Sequence, residues 1–182
     1  MASGARSFRE SYDIAVIGAG PAGLNAASTI LTAAPQTGVL LIDKTVPWDI
    51  PIACAEAVGR QGFHEACKVE KGWIRFNISK AAFHSPDGTS VTYTDSNKGY
   101  IINRTRMQRD MADMCRKKGV DCQFNVRVQK VGHLKQGARS LSFSNGETTQ
   151  AKIVVDASGP LSTFGKGEKI SWKSLDLEPA YF

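Results

Sequence analysis

A chain of 182 residues, 42% hydrophobic and 22% charged, is long enough to bury a sizeable core and too apolar to be disordered. Its formal net charge of +6 favours anionic ligands, but the basic residues are scattered, with no basic stripe interleaved with aromatics, which argues against a nucleic-acid partner. The opening residues MASGARSFRES lack an apolar h-region, and the four cysteines (Cys54, Cys67, Cys115, Cys122) form no CxxC pair, so a reduced, cytoplasmic setting is expected.

Ile14-Ala15-Val16-Ile17 is a continuous apolar run of strand length, as in a buried parallel strand. Gly18-Ala19-Gly20-Pro21-Ala22-Gly23 then fits G-x-G-x-x-G. In that pattern the first glycine permits a tight turn, the second lets a pyrophosphate approach the backbone, and the third allows close helix packing. Residues 24–34 suit a helix stopped by Pro35, its N-terminal amides aimed at the phosphates. The apolar stretch 14–31 contains Pro21, glycines and Asn25, so it makes a poor membrane span. Val39-Leu40-Leu41-Ile42 is a second buried strand, and it ends in Asp43, about 20 residues past Gly23. An acidic side chain at that spacing accepts hydrogen bonds from a ribose hydroxyl. The βαβ unit therefore points to a dinucleotide without a 2′-phosphate, FAD and NAD fitting equally.

Residues 45–62 read as a loop entering a short helix. Residues 73–78 alternate like a half-buried strand, SPDGTS supplies a turn, and 91–93 suggest antiparallel pairing. Tyr100-Ile101-Ile102 leads into a helix over 104–118, ended by Gly119, with Met107, Met111, Met114 and Cys115 at helical spacing as core and Arg116-Lys117-Lys118 in its last turn. Strand-like stretches follow at 121–131 and 140–144, with a turn signal at Asn145-Gly146, and then Ile153-Val154-Val155-Asp156-Ala157-Ser158-Gly159. His64 and Cys67 with Cys54 lack two-sided zinc spacing, so no metal site is expected. This layout departs from a plain dehydrogenase, which would continue strand and helix in regular alternation.

The segments YDIAVIGAGPAGLNAA, LLIDK, INRTRMQRDMADMCRKKGV and AKIVVDASGP resemble successive motifs of the FAD-dependent p-hydroxybenzoate-hydroxylase-like superfamily. IPIACAEAVG is similar to the Cys-Gly-Glu-Gly segment of its geranylgeranyl reductase and FixC-type branch. The resemblance covers about residues 11–162. It implies an α/β fold: a Rossmann-like FAD-binding βαβ with an antiparallel β excursion, truncated here. It also implies FAD as cofactor. Gly18, Gly20, Pro21, Ala22 and Gly23 would surround the pyrophosphate, and Asp43, with Lys44 beside it, the adenosine ribose. Val128 would flank the adenine, and Arg104 would reach the phosphate and ribityl region. Cys54, Ala55 and Ala57 would lie against the flavin, with Asp156 and Gly159 in the turn returning beneath the cofactor. The family has glycines where this chain has Ala55 and Ala57.

The same resemblance implies a domain plan. A flexible tail over 1–11 precedes an incomplete FAD-binding domain over 12–165, with part of the substrate-domain strands inserted at about 72–102. Residues 166–182 begin a missing C-terminal region, so an N-terminal fragment without turnover of its own is expected. The implied activity of an intact relative is reduction of isoprenoid (geranylgeranyl) double bonds by hydride from the flavin and a proton from elsewhere. Cys54 is the candidate catalytic residue, otherwise a small buried hydrophobe, while Glu56 reads as a structural hydrogen-bond partner. The implied substrate is an isoprenoid or (bacterio)chlorophyll-type molecule and the donor a reduced nicotinamide or ferredoxin-type protein, with peripheral membrane association compatible with both. The rival readings are an aromatic-ring hydroxylase, a FixC-type electron-transfer flavoprotein linked to quinone, and a nucleotide-binding module without chemistry.

Overall fold

The computed structural model describes residues 7–52, 54–160, 162 and 164, and the backbone alone at 95–97. The chain divides into two compact units, one running to Pro51 and resuming at Gln108, the other Ile52–Met107.

The first unit is built on a six-stranded sheet. Its strands are β1 (Ser11–Ile17), β2 (Val39–Ile42), β6 (Asp121–Gln123), β7 (Val128–Val131), β8 (Arg139–Phe143) and β9 (Thr148–Asp156), in the order β6-β2-β1-β9-β8-β7. The β6-β2-β1-β9 half is parallel and the β9-β8-β7 half antiparallel. Every residue of β2 is buried, which explains its unbroken apolar sequence in a strand covered on both faces. Tyr12, Ile17, Ile42, Val128, Leu141 and Phe143 belong to one buried cluster.

Helix α1 (Pro21–Ala33) buries Gly23, Leu24, Ala27 and Leu31. It starts at Pro21, three residues before the expected Leu24, because proline is tolerated in the first turn, where its missing N–H has no partner to lose. Helix α3 (Arg104–Lys117) buries Met111, Ala112 and Cys115 in this unit. The Cys115 thiol donates to the Leu24 carbonyl at 3.4 Å. Just past α3, the Lys118 ammonium donates to Ser28 O, Ser28 Oγ and Thr32 Oγ1, pinning the end of α3 to α1.

The second unit holds β3 (Ala57–Gly59), α2 (Arg60–Ala66), a 3-10 turn (Lys71–Trp73), β4 (Ile74–His84), β5 (Ser90–Ile102) and the first turn of α3. Its three strands pair antiparallel in the order β3-β5-β4. The stretches expected separately at 91–93 and 100–102 are thus parts of one strand. Trp73 is fully buried, with the rings of Phe63 and, through it, Tyr100 gathered nearby. His64 Nε2 lies 3.0 Å from Tyr100 Oη, which gives that histidine a structural partner. Among the described residues, no helix is long and apolar enough to cross a membrane.

Candidate functional site

β1 and β2 run in register to a common edge, Ile17 opposite Ile42. The loop after β1 and the residue after β2 therefore leave the sheet together at its carboxyl end, where open α/β sheets take ligands. Gly18 has φ +101°, and a Cβ there would overlap the Ala157 carbonyl oxygen, so only glycine meets both demands. At Gly23 a Cβ would overlap the Gly18 carbonyl oxygen. Gly20 is the opposite case: nothing lies within 4 Å of a Cβ placed on it, so its backbone is open to a ligand. Ala22 is exposed beside it, and the Leu24 N–H closes the first turn of α1 on the Gly20 carbonyl at 3.0 Å.

Asp43 ties this loop to the sheet. Its Oδ2 accepts the Ala19 N–H at 2.7 Å, and its Oδ1 accepts the Thr45 N–H at 2.9 Å and the Thr45 hydroxyl at 3.0 Å. A carboxylate offers roughly four lone-pair directions, so three are engaged and one, on Oδ2, remains. The Asp43 carbonyl in turn accepts the Val126 N–H at 3.1 Å, carrying the chain to Val128, which is buried at the start of β7. Between these elements lies a cavity of about 530 Å³ lined by Gly18, Asp43, Lys44, Val126, Val128 and Ser158, among others.

After β9 the chain turns back across the loop, the Ala157 N–H donating to the Ile17 carbonyl at 2.8 Å. Asp156 shapes that turn. Its Oδ1 accepts the Ser158 N–H at 3.1 Å and the Ser158 hydroxyl at 2.6 Å, while its Oδ2 accepts the Ser162 hydroxyl. The Gly159 carbonyl accepts the Ser162 N–H at 3.1 Å.

The second unit brings Cys54, Glu56 and Arg104 together. The Glu56 N–H donates to Cys54 Sγ at 3.3 Å, and the Arg104 N–H, at the start of α3, donates to Glu56 Oε1 at 2.9 Å. Burial pushes the Cys54 thiol up, but the Glu56 N–H and the Arg104 guanidinium, which hydrogen-bonds the sulfur, outweigh it and hold the thiol below its ordinary value. The other three cysteines go the opposite way: burial raises Cys67, Cys115 to about 11 and Cys122 to about 12. Ala55 and Ala57 are exposed on either side of Glu56, Ala57 pairing with Ile101.

Thus Gly18, Gly20, Pro21, Ala22, Gly23, Asp43, Lys44, Val128, Asp156 and Gly159 all fall in the first unit, and Cys54, Ala55, Ala57 and Arg104 in the second. Sequence reasoning passed over Arg127, Gln129, Ser158 and Ser162, which line the cavity. Ser158 stands inside the DASGP stretch and could have been found there. Arg127 and Gln129 carry no local signal, because only the fold brings them beside Asp43.

The cavity suits the adenosine half of a dinucleotide: its lining combines apolar Ile17, Ile42 and Val128 with polar Asp43 and Ser158. A digeranylgeranylglycerophospholipid reductase of Methanocella arvoryzae is 33% identical to this chain, over 94% of the chain and 45% of the relative. A geranylgeranyl bacteriochlorophyll reductase-like protein of Thermoplasma acidophilum superimposes with a TM-score of 0.73 at 23% identity, covering 88% of this chain and 42% of the other. The halogenase PltM, solved in complex with FAD, gives a TM-score of 0.68 at 16% identity, over 88% of this chain and 36% of the other. The mixed sheet with its antiparallel excursion is accordingly the fold of known flavoproteins, as the motifs led one to expect. The chain spans less than half the length of each of these relatives. Residues 13–174 match the lycopene cyclase protein family, and with the loop, the acidic strand end and the return turn all inside that span, the chain belongs to this family, where it resembles the geranylgeranyl reductases.

Proposed function

We propose that this chain is the FAD-binding part of a flavin-dependent reductase acting on isoprenoid double bonds. The observation that carries the reading is the first unit's cradle, in which the glycine loop lines a cavity at Gly18 together with Asp43 and Val128 and leaves the space at Gly20 open. The names of the relatives supply the substrate class. Gly20 admits the pyrophosphate to the start of α1, and Asp43 offers its remaining lone pair to the ribose. The backbone at Val128 flanks the adenine, and the turn at Asp156 and Gly159 closes over the loop. In the second unit, Arg104 is proposed for the phosphate and ribityl region, and Cys54, Ala55 and Ala57 for the flavin. Bound FAD would supply the two-electron reducing chemistry. Cys54 offers an Sγ proton held more loosely than in an ordinary thiol, available for the carbon that does not receive hydride.

A reduced nicotinamide or a ferredoxin-type protein is the proposed donor, and peripheral association with a membrane the proposed route to a lipid substrate. Equilibrium titration of the chain with FAD, NAD and NADP tests the cofactor, and FAD is expected to bind tightest. Tighter binding of NAD would overturn the reading. Fusing the chain to the C-terminal half of a relative tests the reaction, with mass spectrometry expected to show a gain of two hydrogens per reduced bond.

A further inference from the structure

Glu56 occupies an unusual position. Its φ of +57° lies in the left-handed region, uncommon for a residue with a side chain and a conformation that persists only where the surroundings enforce it. Here they do. The Glu56 carbonyl accepts the Ile102 N–H at 2.9 Å, and its side chain accepts the Arg104 N–H at 2.9 Å. Its own N–H reaches the Cys54 sulfur at 3.3 Å. One residue thus joins the end of β5, the first turn of α3 and the thiol. An acidic oxygen on the first amide of a helix is also favoured by the helix dipole. Asn103 caps the same turn, its Oδ1 accepting the Arg106 N–H at 3.0 Å.

We propose that Glu56 is a positioning residue: from its left-handed backbone it fixes the first turn of α3 and so holds the Arg104 guanidinium at the Cys54 sulfur. The inference deepens the reading above, where Arg104 and Cys54 face the flavin, but it is tested on the thiol and needs no cofactor. Failure of either is therefore seen separately. The charged groups acting on the sulfur are Arg104 from α3 and Glu56 itself. Arg75 of β4 lies 3.9 Å from Glu56 Oε2, a half-exposed pair of small worth.

The geometry makes opposite predictions for two variants. Glu56→Gln keeps an oxygen for the Arg104 N–H and removes a negative charge that disfavours the thiolate. Glu56→Ala removes the charge and the anchor together. Alkylation of Cys54 by iodoacetamide, resolved by peptide mass spectrometry across a pH series, separates them. Glu56→Gln should react at pH 7 at least as fast as the parent chain, whereas Glu56→Ala should slow roughly threefold or more as the guanidinium leaves the sulfur. Arg104→Ala should slow likewise, and Glu56→Ala added to it should slow no further. Equal or faster labelling in Glu56→Ala would overturn the proposal, since the carboxylate would then act through its charge alone. Cys115 reports the fold in the same digest, because it is buried and so unreactive in the folded chain. If Glu56→Ala exposes it, the decision passes to Glu56→Gln, whose slowing would overturn the proposal and whose unchanged or faster rate would support it.

Discussion

Asp43→Asn separates the two tasks of the carboxylate at the end of β2. The substitution keeps shape and volume but leaves one acceptor oxygen where there were two. Turned toward Ala19, that oxygen keeps the loop bond now made at 2.7 Å and sets an NH2 group against the Thr45 N–H. Turned toward Thr45, it leaves the N–H of Ala19, which is wholly buried, facing another donor. The first orientation is cheaper, because the Thr45 hydroxyl can rotate to accept, so the loss is one backbone bond plus the charge assistance on the other. Hydrogen bonds to charged groups contribute about 1.5–3 kcal/mol and neutral ones about 1 kcal/mol, which puts the net loss near 2 kcal/mol. For a chain of this size that lowers the melting temperature by roughly 5 °C. Thermal unfolding followed by far-UV circular dichroism, without added cofactor, measures the structural part, and a subsequent FAD titration measures the rest. An unchanged melting temperature would refute the argument that Asp43 ties the glycine loop to the sheet, whatever happened to FAD.

Three further changes probe the same unit. Gly20→Val should leave the fold intact, since the position has an extended backbone (φ −67°, ψ 178°) and open space for a side chain, yet abolish FAD binding in the titration; undiminished affinity would make the loop a mere turn. Gly23→Ala should destabilise by about 1–3 kcal/mol, because its Cβ meets the Gly18 carbonyl and one or the other must shift; urea denaturation checks it. Stability should fall with rising pH above about 9, the ordinary thiol value, through about 11 for Cys115 and about 12 for Cys122: each folded value is raised, so the unfolded chain ionises first and gains the advantage as protons leave. Cys115→Ala combined with Cys122→Ala should flatten that part of the urea-midpoint profile.

What the sequence disclosed was local. Ile14–Ile17 and Val39–Ile42 read as buried strands because they are apolar throughout, and the glycine spacing named the loop because its geometry is set within six residues. The segment 121–131 reads as one strand but is broken, since Asn125 takes φ +61° and the Val126 N–H bonds back to the Asp43 carbonyl. That bond joins residues far apart in sequence, so no window of neighbouring residues predicts it. Strand β5 hides for another reason. Its polar middle, TDSNKG, parts the two apolar stretches in sequence, and antiparallel pairing with β4 on either side of it makes them one strand of thirteen residues. Arg127 and Gln129 reach the cavity through the same tertiary placement.

Three carboxylates assigned from sequence to a ligand or to structure share one physical role. Asp43 accepts the Ala19 N–H in the glycine loop, Asp156 the Ser158 N–H in the return turn, and Glu56 the Arg104 N–H at the start of α3. Each sits where a regular element ends or begins, and there backbone N–H groups lose their regular partners. A charged acceptor at such a place fixes the loop before any ligand arrives, which lowers the ordering cost that binding would otherwise carry. Lost binding in a carboxylate variant is therefore no proof of a contact with the cofactor. Direct contact is the right inference only where affinity falls while stability without cofactor stays. On this geometry Asp43 should fail that criterion in part, having one free lone pair and three engaged. Glu56 should fail it wholly, because its effect on any ligand passes through Arg104 and Cys54.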